Sequence, residues 1–168
     1  MFLFLENISH KDNFEVLKDP ELSDIMRQKL ITLLRDFKRT QLQVDSEFES
    51  LFKGGAISDD SFLNTYKNRG LILYVLIDND LDEIAGFCII NPKHMMIRNS
   101  VLIHYLLIAE KYRNRGLGKR FLGDVMNDLR KTCPNKHMVI NVLEKNSRAR
   151  KLYESLGFRP ASITMIKL

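Results

Sequence analysis

The stretch that decides the fold runs from Val101 to Arg120 and reads VLIHYLLIAEKYRNRGLGKR. Its first part, residues 101–108, is apolar and rich in branched residues, which is typical of a buried strand. Its second part places Gly116 and Gly118 among several cations. Where a strand runs through such a turn into a helix, main-chain amides and the positive end of the helix dipole attract anions. The stretch therefore predicts that residues 113–119 bind an anion such as a pyrophosphate.

Two familiar phosphate loops do not fit this turn. In a Walker A loop, the first glycine and the hydroxyl residue would fall on Arg113 and Arg120. In a dinucleotide fingerprint, the third glycine would fall on Phe121. What remains is Arg113-x-x-Gly116-x-Gly118 at a strand-to-helix junction, where the glycines let the chain approach a ligand closely.

The bulk composition fits one globular domain over residues 1–168. The chain is 45% hydrophobic and 28% charged, and it has no apolar run near the roughly 18 residues that a membrane span needs. The first ten residues lack the basic start of a secretory signal, so we expect a cytoplasmic protein with no membrane partner. Cys88, Cys133 and the four histidines show no metal-ligand spacing, so no metal is expected, and no disulfide is expected in a reducing compartment.

The net charge of +5 is unevenly distributed. Residues 110–168 carry 14 Lys/Arg against 5 Asp/Glu, a net +9, whereas residues 1–109 carry 12 against 16, a net −4. This asymmetry is typical of a C-terminal third that meets something anionic, although a solvated basic surface would look the same. The cations do not alternate with exposed aromatics, so nucleic acid is not the favoured partner.

Hydrophobic periodicity predicts an α/β (α+β) fold, a mixed and mostly antiparallel sheet with helices on both faces. The first half is expected to contain a strand over 1–8, a helix from 19 to 39 capped by Asp19 with Pro20 in its first turn, and a short helix over 60–70. Strands over 71–77, 84–90 and 101–108 should follow, and then a helix over 116–131 and a strand over 137–143. The chain should end with a helix over 146–157, with Asn146 as its N-cap and Gly157 as its end, and a strand over 162–168.

Two segments resemble one protein family. Arg113-Asn114-Arg115-Gly116-Leu117-Gly118 resembles the acetyl-CoA-binding motif (Gln/Arg)-x-x-Gly-x-(Gly/Ala) of the Gcn5-related N-acetyltransferases (GNAT), and the preceding LLIAEKY resembles that family's fourth strand. VLEKNSRARKLYESLGF, residues 142–158, resembles the family's later strand-helix segment. The positions that match there are Asn146, Ala149, Leu152, Tyr153, Gly157 and Phe158. The resemblance is close over residues 100–168 and implies the GNAT fold.

The resemblance also implies acetyl-CoA as co-substrate. Strands four and five of that family diverge, and the pantetheine arm pairs with the free backbone of the fourth strand. The cofactor-binding residues implied here are Leu106, Ile108, Arg113, Asn114, Arg115, Gly116, Leu117, Gly118, Lys119 and Asn146. Asn146 is at the same time the expected helix N-cap, and the two roles are compatible. The candidates for contact with the 3′-phosphate or adenine are Lys111, Lys145, Arg148 and Lys151, and the sequence does not choose among them.

The reaction implied is direct attack by a primary amine on the thioester. A backbone N–H near Leu106 would stabilise the oxyanion, and Tyr153 matches the family's general acid, with an ordinary place on the helix face as the alternative. The general base stays open among His104, Glu83, Glu110 and a water relay. His104 would share a face with Leu106 and Ile108 if the strand is regular.

The residues that would select the acceptor lie outside the matching segments. The acidic stretches 45–50 and 58–62 favour a cationic amine, either a small molecule or a protein segment, although solvated loop charges explain them equally well. For Met95, Met96 and Ile97 three roles remain open: the acceptor cleft, a homodimer interface, or packing on the core. Two rival functions also remain: a toxin-like acetyltransferase acting on aminoacyl-tRNA, and a non-catalytic acetyl-CoA-binding module.

Overall fold

The computed structural model describes residues 6–11, 13–44, 63, 66–94 and 97–162. The expected closing strand lies almost wholly outside these residues. The acidic stretches 45–50 and 58–62 lie outside them as well, as do Met95 and Met96. The elements below are numbered in chain order within the described residues.

Six strands form one sheet whose spatial order follows the chain. They are β1 Glu6–Lys11, β2 Phe14–Lys18, β3 Ile72–Asp78, β4 Glu83–His94, β5 Ser100–Ile108 and β6 His137–Ile140. Neighbours from β1 to β5 pair antiparallel, and β6 pairs parallel to β5. The mixed, mostly antiparallel sheet is therefore confirmed. Strand β2, which pairs with β3 from far along the chain, was not predicted from the sequence.

Helices cover both faces of the sheet, as expected. The helices are α1 Asp24–Val44, α2 Leu117–Thr132 and α3 Ser147–Glu154, with a 3-10 turn over Glu110–Tyr112. Leucines of α1 pack with β3 and β4 in one core cluster. Apolar residues of α2 form the second cluster on the opposite face, and Tyr153 of α3 packs against it. The sheet therefore separates an α1 side from a side that carries α2 and α3.

The first helix begins later than the sequence predicts. Asp19 adopts a positive φ of 43°, and its carboxylate accepts a hydrogen bond from the backbone N–H of Leu73 at 2.9 Å. Ser23 instead accepts from the N–H of Met26 at 3.2 Å, which is an N-cap contact. The prediction of Asp19 as cap and Pro20 in the first turn is wrong, because Asp19 bonds to β3.

The sixth strand is shorter than predicted. Its pairing with β5 runs from Ser100 opposite His137 to Ile103 opposite Ile140, whereas the sequence predicted a strand to residue 143. Residues 104–108 of β5 continue beyond the last pair while β6 ends. The two strands therefore diverge and leave one edge of β5 without a neighbouring strand among the described residues.

Candidate active site

The backbone of β5 faces this gap at two positions. Ala109 donates its N–H to the carbonyl of Ala85 at 2.9 Å, and Ile108 lies opposite Gly86. Because hydrogen-bonded and non-hydrogen-bonded pairs alternate along antiparallel strands, Leu106 and Ile108 turn their N–H and C=O groups away from β4. These groups point to the side from which β6 has departed. They are the two positions at which the resemblance implies pairing with a pantetheine arm.

A β-bulge interrupts β5 beside the gap. The register shifts between the pairs Ile89–Tyr105 and Ile90–Ile103, so that His104 is the extra residue. The strand is therefore not regular, and the condition under which His104 would share a face with Leu106 is not met. Its exposed ring instead lies against Tyr105, with ring centroids 4.3 Å apart. Tyr105 packs on the α1 side.

The surroundings of His104 at the bulge favour the neutral imidazole. Protein atoms around the imidazole of His104 partly remove it from water, and this desolvation lowers its pKa below the usual 6.5. A neutral imidazole has one nitrogen that accepts a proton. His104 therefore has the protonation state that a base needs near neutral pH.

The glycine-rich turn has the backbone of an anion site. Asn114 and Gly116 adopt positive φ values of 63° and 74°, and Gly116 is the N-cap residue of α2. The N–H groups of Lys119 and Arg120 bond back to the carbonyl of Gly116 at 3.1 and 3.2 Å. The amides of the preceding residues have no intrahelical acceptor by the geometry of a helix start. They and the helix dipole favour an anion at this end of α2.

The side chains of this turn point in different directions. Arg113 donates from Nε to the carbonyl of Ile108 at 2.9 Å, which ties the turn to the end of β5. The guanidinium carbon of Arg115 lies 5.8 Å from the ring centroid of Tyr112 and 5.9 Å from that of Phe14. Arg115 thus stacks beside an aromatic pair, which sequence spacing did not indicate.

Helix α3 closes over the start of α2. A Cβ on Gly118 would lie 3.5 Å from both Ile108 Cγ1 and Leu152 Cδ2, an ordinary contact distance. Gly118 therefore lies between the end of β5 and α3, and an alanine side chain would fit there without a clash. Asn146 accepts the N–H of Ala149 at 3.1 Å through its side chain, which confirms the predicted N-cap. Gly157 has φ 89° beyond the end of the helix.

Tyr153 lies half-buried at this junction. It packs against the cluster on the α2 side, beside which Leu106 and Ile108 also pack, and its ring centroid is 6.1 Å from that of Phe158. Burial, followed by the nearby Cys88, raises the pKa of the Tyr153 phenol to about 12. The phenol is therefore protonated throughout the neutral range.

The two candidate glutamates differ in their surroundings. Glu83 forms an ion pair with Lys111 and accepts from Tyr112 Oη at 3.3 Å. The hydrogen bond from Lys111 is the main cause that lowers the pKa of Glu83, so this carboxylate is a weak proton acceptor. Glu110 is exposed in the 3-10 turn. Of the three candidate bases, His104 lies nearest in the chain to the unpaired part of β5.

A further glycine shapes the site without having been selected from the sequence. A Cβ on Gly86 would lie 2.5 Å from the carbonyl oxygen of Leu107 and 2.9 Å from Ile108 Cδ1. Only glycine lets β4 lie this close to the end of β5. Its signal in the sequence was a single glycine inside the apolar run 84–90.

Two properties of the described chain bear on the class of protein. Within the described residues, no group of three His, Cys, Asp or Glu side chains is arranged to hold a metal ion. None of the helices described is both long and apolar enough to span a bilayer.

Comparison with known proteins gives consistent matches. Residues 30–158 match the model of the acetyltransferase (GNAT) family. A curated relative, the 5-NmdU N-acetyltransferase of Pseudomonas phage PaMx11, is 22% identical over 129 residues, which make up 77% of this chain and 79% of the relative.

Solved structures share the fold at low identity. The tetramutant of the BH1408 protein from Bacillus halodurans has a TM-score of 0.69 at 18% identity, covering 89% of this chain and 97% of its own. Glucosamine-6-phosphate N-acetyltransferase from Arabidopsis thaliana has a TM-score of 0.57 at 19% identity, covering 94% and 99%. Because the family model matches more than half of the chain, the protein belongs to the GNAT acetyltransferase family.

Proposed function

We propose that this protein transfers the acetyl group of acetyl-CoA to a primary amine by direct attack within a ternary complex. The main observation that supports this proposal is the gap beside β5. Pairing with β6 stops at Ile103, and the backbone groups of Leu106 and Ile108 turn toward the opening. The N-terminus of α2 lies just beyond the same end of β5.

The substrate acetyl-CoA fits this arrangement in two parts. Its pantetheine amides can pair with the backbone of Leu106 and with the N–H of Ile108 as an added strand does, while the Ile108 carbonyl already accepts from Arg113. Its pyrophosphate would accept hydrogen bonds from the amides of the 113–119 turn, where Gly116 leaves room for a ligand and Lys119 adds a positive charge. Arg113 holds the turn against the carbonyl of Ile108, so the two parts of the site are joined.

The thioester carbonyl needs a donor where charge develops. The N–H of Leu106 points into the gap and would donate to the oxyanion as the amine attacks. Removal of one donor of this kind costs about a hundredfold to a thousandfold in rate in other acyl-transfer enzymes. A backbone donor adjoining a bulge is fixed by the strand and needs no reorganisation during the reaction.

Tyr153 is the proposed donor to the leaving sulfur. A thiol has a pKa of about 8.5, well below the value of about 12 for this phenol. Complete proton transfer from Tyr153 to a free thiolate would therefore be uphill. The phenol instead donates a hydrogen bond as the C–S bond breaks, and its proton moves to sulfur only as the nitrogen loses one to the base. The proton on the base then returns to the phenoxide through solvent, so that both groups end the turnover in their starting forms. The net reaction turns one amine and one thioester into one amide and one thiol.

His104 is the proposed acceptor of the proton from nitrogen, directly or through one water. Its pKa lies below 6.5, so the imidazole is neutral near pH 7. It is exposed at the bulge, two residues from Leu106, so it can approach an amine that arrives at the carbonyl. Glu83 is less suited to this role because Lys111 already neutralises it.

The names of the relatives suggest amine acceptors of small size. One relative is an N-acetyltransferase named for 5-NmdU, and another structure belongs to an N-acetyltransferase named for glucosamine 6-phosphate. From these names we infer for this protein only the reaction class, N-acetylation. Aminoacyl-tRNA as acceptor and a binding module without turnover remain the competing functions.

An acceptor screen tests the proposal. Purified protein, acetyl-CoA and a panel of amines, peptides and aminoacyl-tRNA would be followed by release of free CoA thiol, with mass spectrometry of the product. We expect thiol release that depends on a primary amine and a product that resists hydroxylamine, as an amide does. Micromolar acetyl-CoA binding without turnover on any acceptor would instead indicate a binding module. Turnover on aminoacyl-tRNA alone would support the toxin-like alternative.

A further inference from the structure

The acceptor has to reach the gap from the α1 side of the sheet, and this step rests on the proposed function. The pyrophosphate turn and Tyr153 belong to the opposite side, where α2 and α3 pack. On the α1 side, the first side chain of β5 beyond the bulge is Tyr105, whose ring lies 5.1 Å from that of Phe37 on α1. The amine therefore passes Tyr105 on its way to the gap.

Cations outnumber carboxylates on α1 and on the turn before β3. Helix α1 carries five Lys/Arg and two Asp/Glu, and the turn over residues 66–70 adds Lys67 and Arg69, both exposed. Burial raises the pKa of Tyr105, and the positive charge of Arg69 acts on the same phenol in the opposite direction. Arg69 is thus within electrostatic reach of the residue that borders the gap.

A cavity of about 190 Å³ opens beside the same turn. Its walls are formed by Pro20, Leu22, Arg27, Leu63, Tyr66 and Lys67. Tyr66 is only 3% exposed, and its hydroxyl has no hydrogen-bond partner among the residues that the structure describes. Burial and the charge of Asp19 raise the pKa of Tyr66, so this hydroxyl stays a donor. The carboxylate of Asp19 itself accepts from the backbone of Leu73.

The cavity lies close to the start of β3, which is two strands away from β5. The backbone carbonyl of Tyr66, on the cavity wall, accepts the N–H of Leu71 just before β3 begins. Leu73 pairs with Ile89, and Ile89 pairs with Tyr105, so two strand spacings, about 10 Å, separate Leu73 from Tyr105. A small acceptor whose nitrogen lies at the gap would therefore extend across β4 toward the turn over residues 66–70.

We propose that the acceptor is a small anionic amine, whose phosphate or carboxylate group binds to Arg69 and Lys67 on the α1 side while its amine enters the gap. Both cations are exposed; the charge of Arg69 acts on Tyr105, and Lys67 lies on the wall of the cavity. The acidic stretches 45–50 and 58–62, which favour a cationic acceptor, lie outside the described residues. The two hypotheses therefore predict opposite charge preferences.

The test compares acceptors that differ by one anionic group. Glucosamine and glucosamine 6-phosphate form the phosphate pair, cadaverine and lysine form the carboxylate pair, and spermidine represents the polycation. We expect kcat/KM to be at least about tenfold higher for the anionic member of one pair, the factor that corresponds to 1.4 kcal/mol. The pair that shows the gain identifies the anion.

Variants then test whether the cations of the turn over residues 66–70 cause this gain in kcat/KM. Arg69→Ala and Lys67→Ala should lower kcat/KM several-fold for the member that carries the anionic group and leave the member that lacks it nearly unchanged. Arg130→Ala, a charge-matched control on α2 that bonds to Asn127, should change neither.

A preference for spermidine or for the members that lack the anionic group would overturn the inference while leaving N-acetylation intact. An equal loss for both members of a pair in Arg69→Ala would do the same, because it indicates a structural role. Failure of every acceptor would instead overturn the proposed function, and the inference with it.

Discussion

The guanidinium of Arg148 donates a hydrogen bond to Oδ1 of Asn114 at 2.9 Å, and this contact joins two segments that lie 34 residues apart. Asn114 is in the left-handed region of the turn, with φ 63°, and Arg148 is in the first turn of α3. Each residue belongs to one of the two segments that resemble the family. The helix that carries Tyr153 is therefore hydrogen-bonded to the 113–119 turn.

Arg148→Ala should weaken acetyl-CoA binding by about fivefold to tenfold, because an exposed hydrogen bond to a charged group contributes on the order of 1 kcal/mol. Calorimetric titration measures this change. Arg150→Ala, which removes a cation that lies 3.9 Å from Glu154, is the matched control and should bind normally. Dephospho-CoA separates the roles of Arg148: an equal loss with both cofactors indicates support of the turn, and a loss confined to acetyl-CoA indicates a contact with the 3′-phosphate. An unchanged Kd would contradict both roles.

Tyr153→Phe should lower kcat by about a hundredfold or more, a typical contribution of a group that donates or accepts a proton in the transition state. The Kd for acetyl-CoA and the melting temperature should change little. Tyr74→Phe provides the opposite pattern. The Tyr74 hydroxyl donates to the buried Asp128 at 2.6 Å, so its loss should lower the melting temperature and spare kcat. Normal turnover in Tyr153→Phe would remove this residue from the mechanism.

His104→Ala should remove the acid limb of the pH dependence of kcat/KM. If neutral His104 takes the proton of the amine, activity rises with pH through the pKa of this imidazole, which desolvation places below 6.5. His137→Ala, a second exposed histidine at the start of β6, should keep the limb. A limb of the same shape in His104→Ala and in the wild type would assign the step to another group or to water.

Gly86→Ala should destabilise the fold by several kcal/mol, because the new Cβ would lie 2.5 Å from the backbone carbonyl of Leu107 and cannot be relieved by a side-chain movement. Gly123→Ala is the matched control. It lies inside α2 with nothing within 4 Å of the added Cβ, and helix propensity favours alanine there by up to about 1 kcal/mol. Urea denaturation of both variants gives the comparison, and equal midpoints for Gly86→Ala and the wild type would show that β4 and β5 can separate without cost.

Much of the fold could be predicted because its signals are local. The helix over 117–132 has apolar residues at helical spacing, and Asn146 is followed three residues later by the amide that it caps. Pro and Gly positions mark turns for the same reason, since they restrict or extend the backbone at a single residue. The expectation that the 113–119 turn binds an anion likewise rests on a pattern within seven residues.

Other features depend on partners that sequence spacing does not reveal. Strand β2 is five residues long and owes its place to pairing with β3. Asp19 looks like a helix cap until the N–H of Leu73 is found beside it. In each case a long-range hydrogen bond outweighs the local preference, because tertiary contacts routinely override propensity.

The amino-acid sequence by itself determined the order of the described helices and of every described strand except β2, the glycine-rich turn, and the position of the Tyr153 phenol in the last described helix, because each depends on a pattern within one segment. Only the tertiary structure decided where β6 leaves β5, which way Leu106 and Ile108 turn their backbone, and that His104 forms a bulge against Tyr105. These are properties of pairs of strands, and the register between two strands is a free-energy balance over the whole sheet.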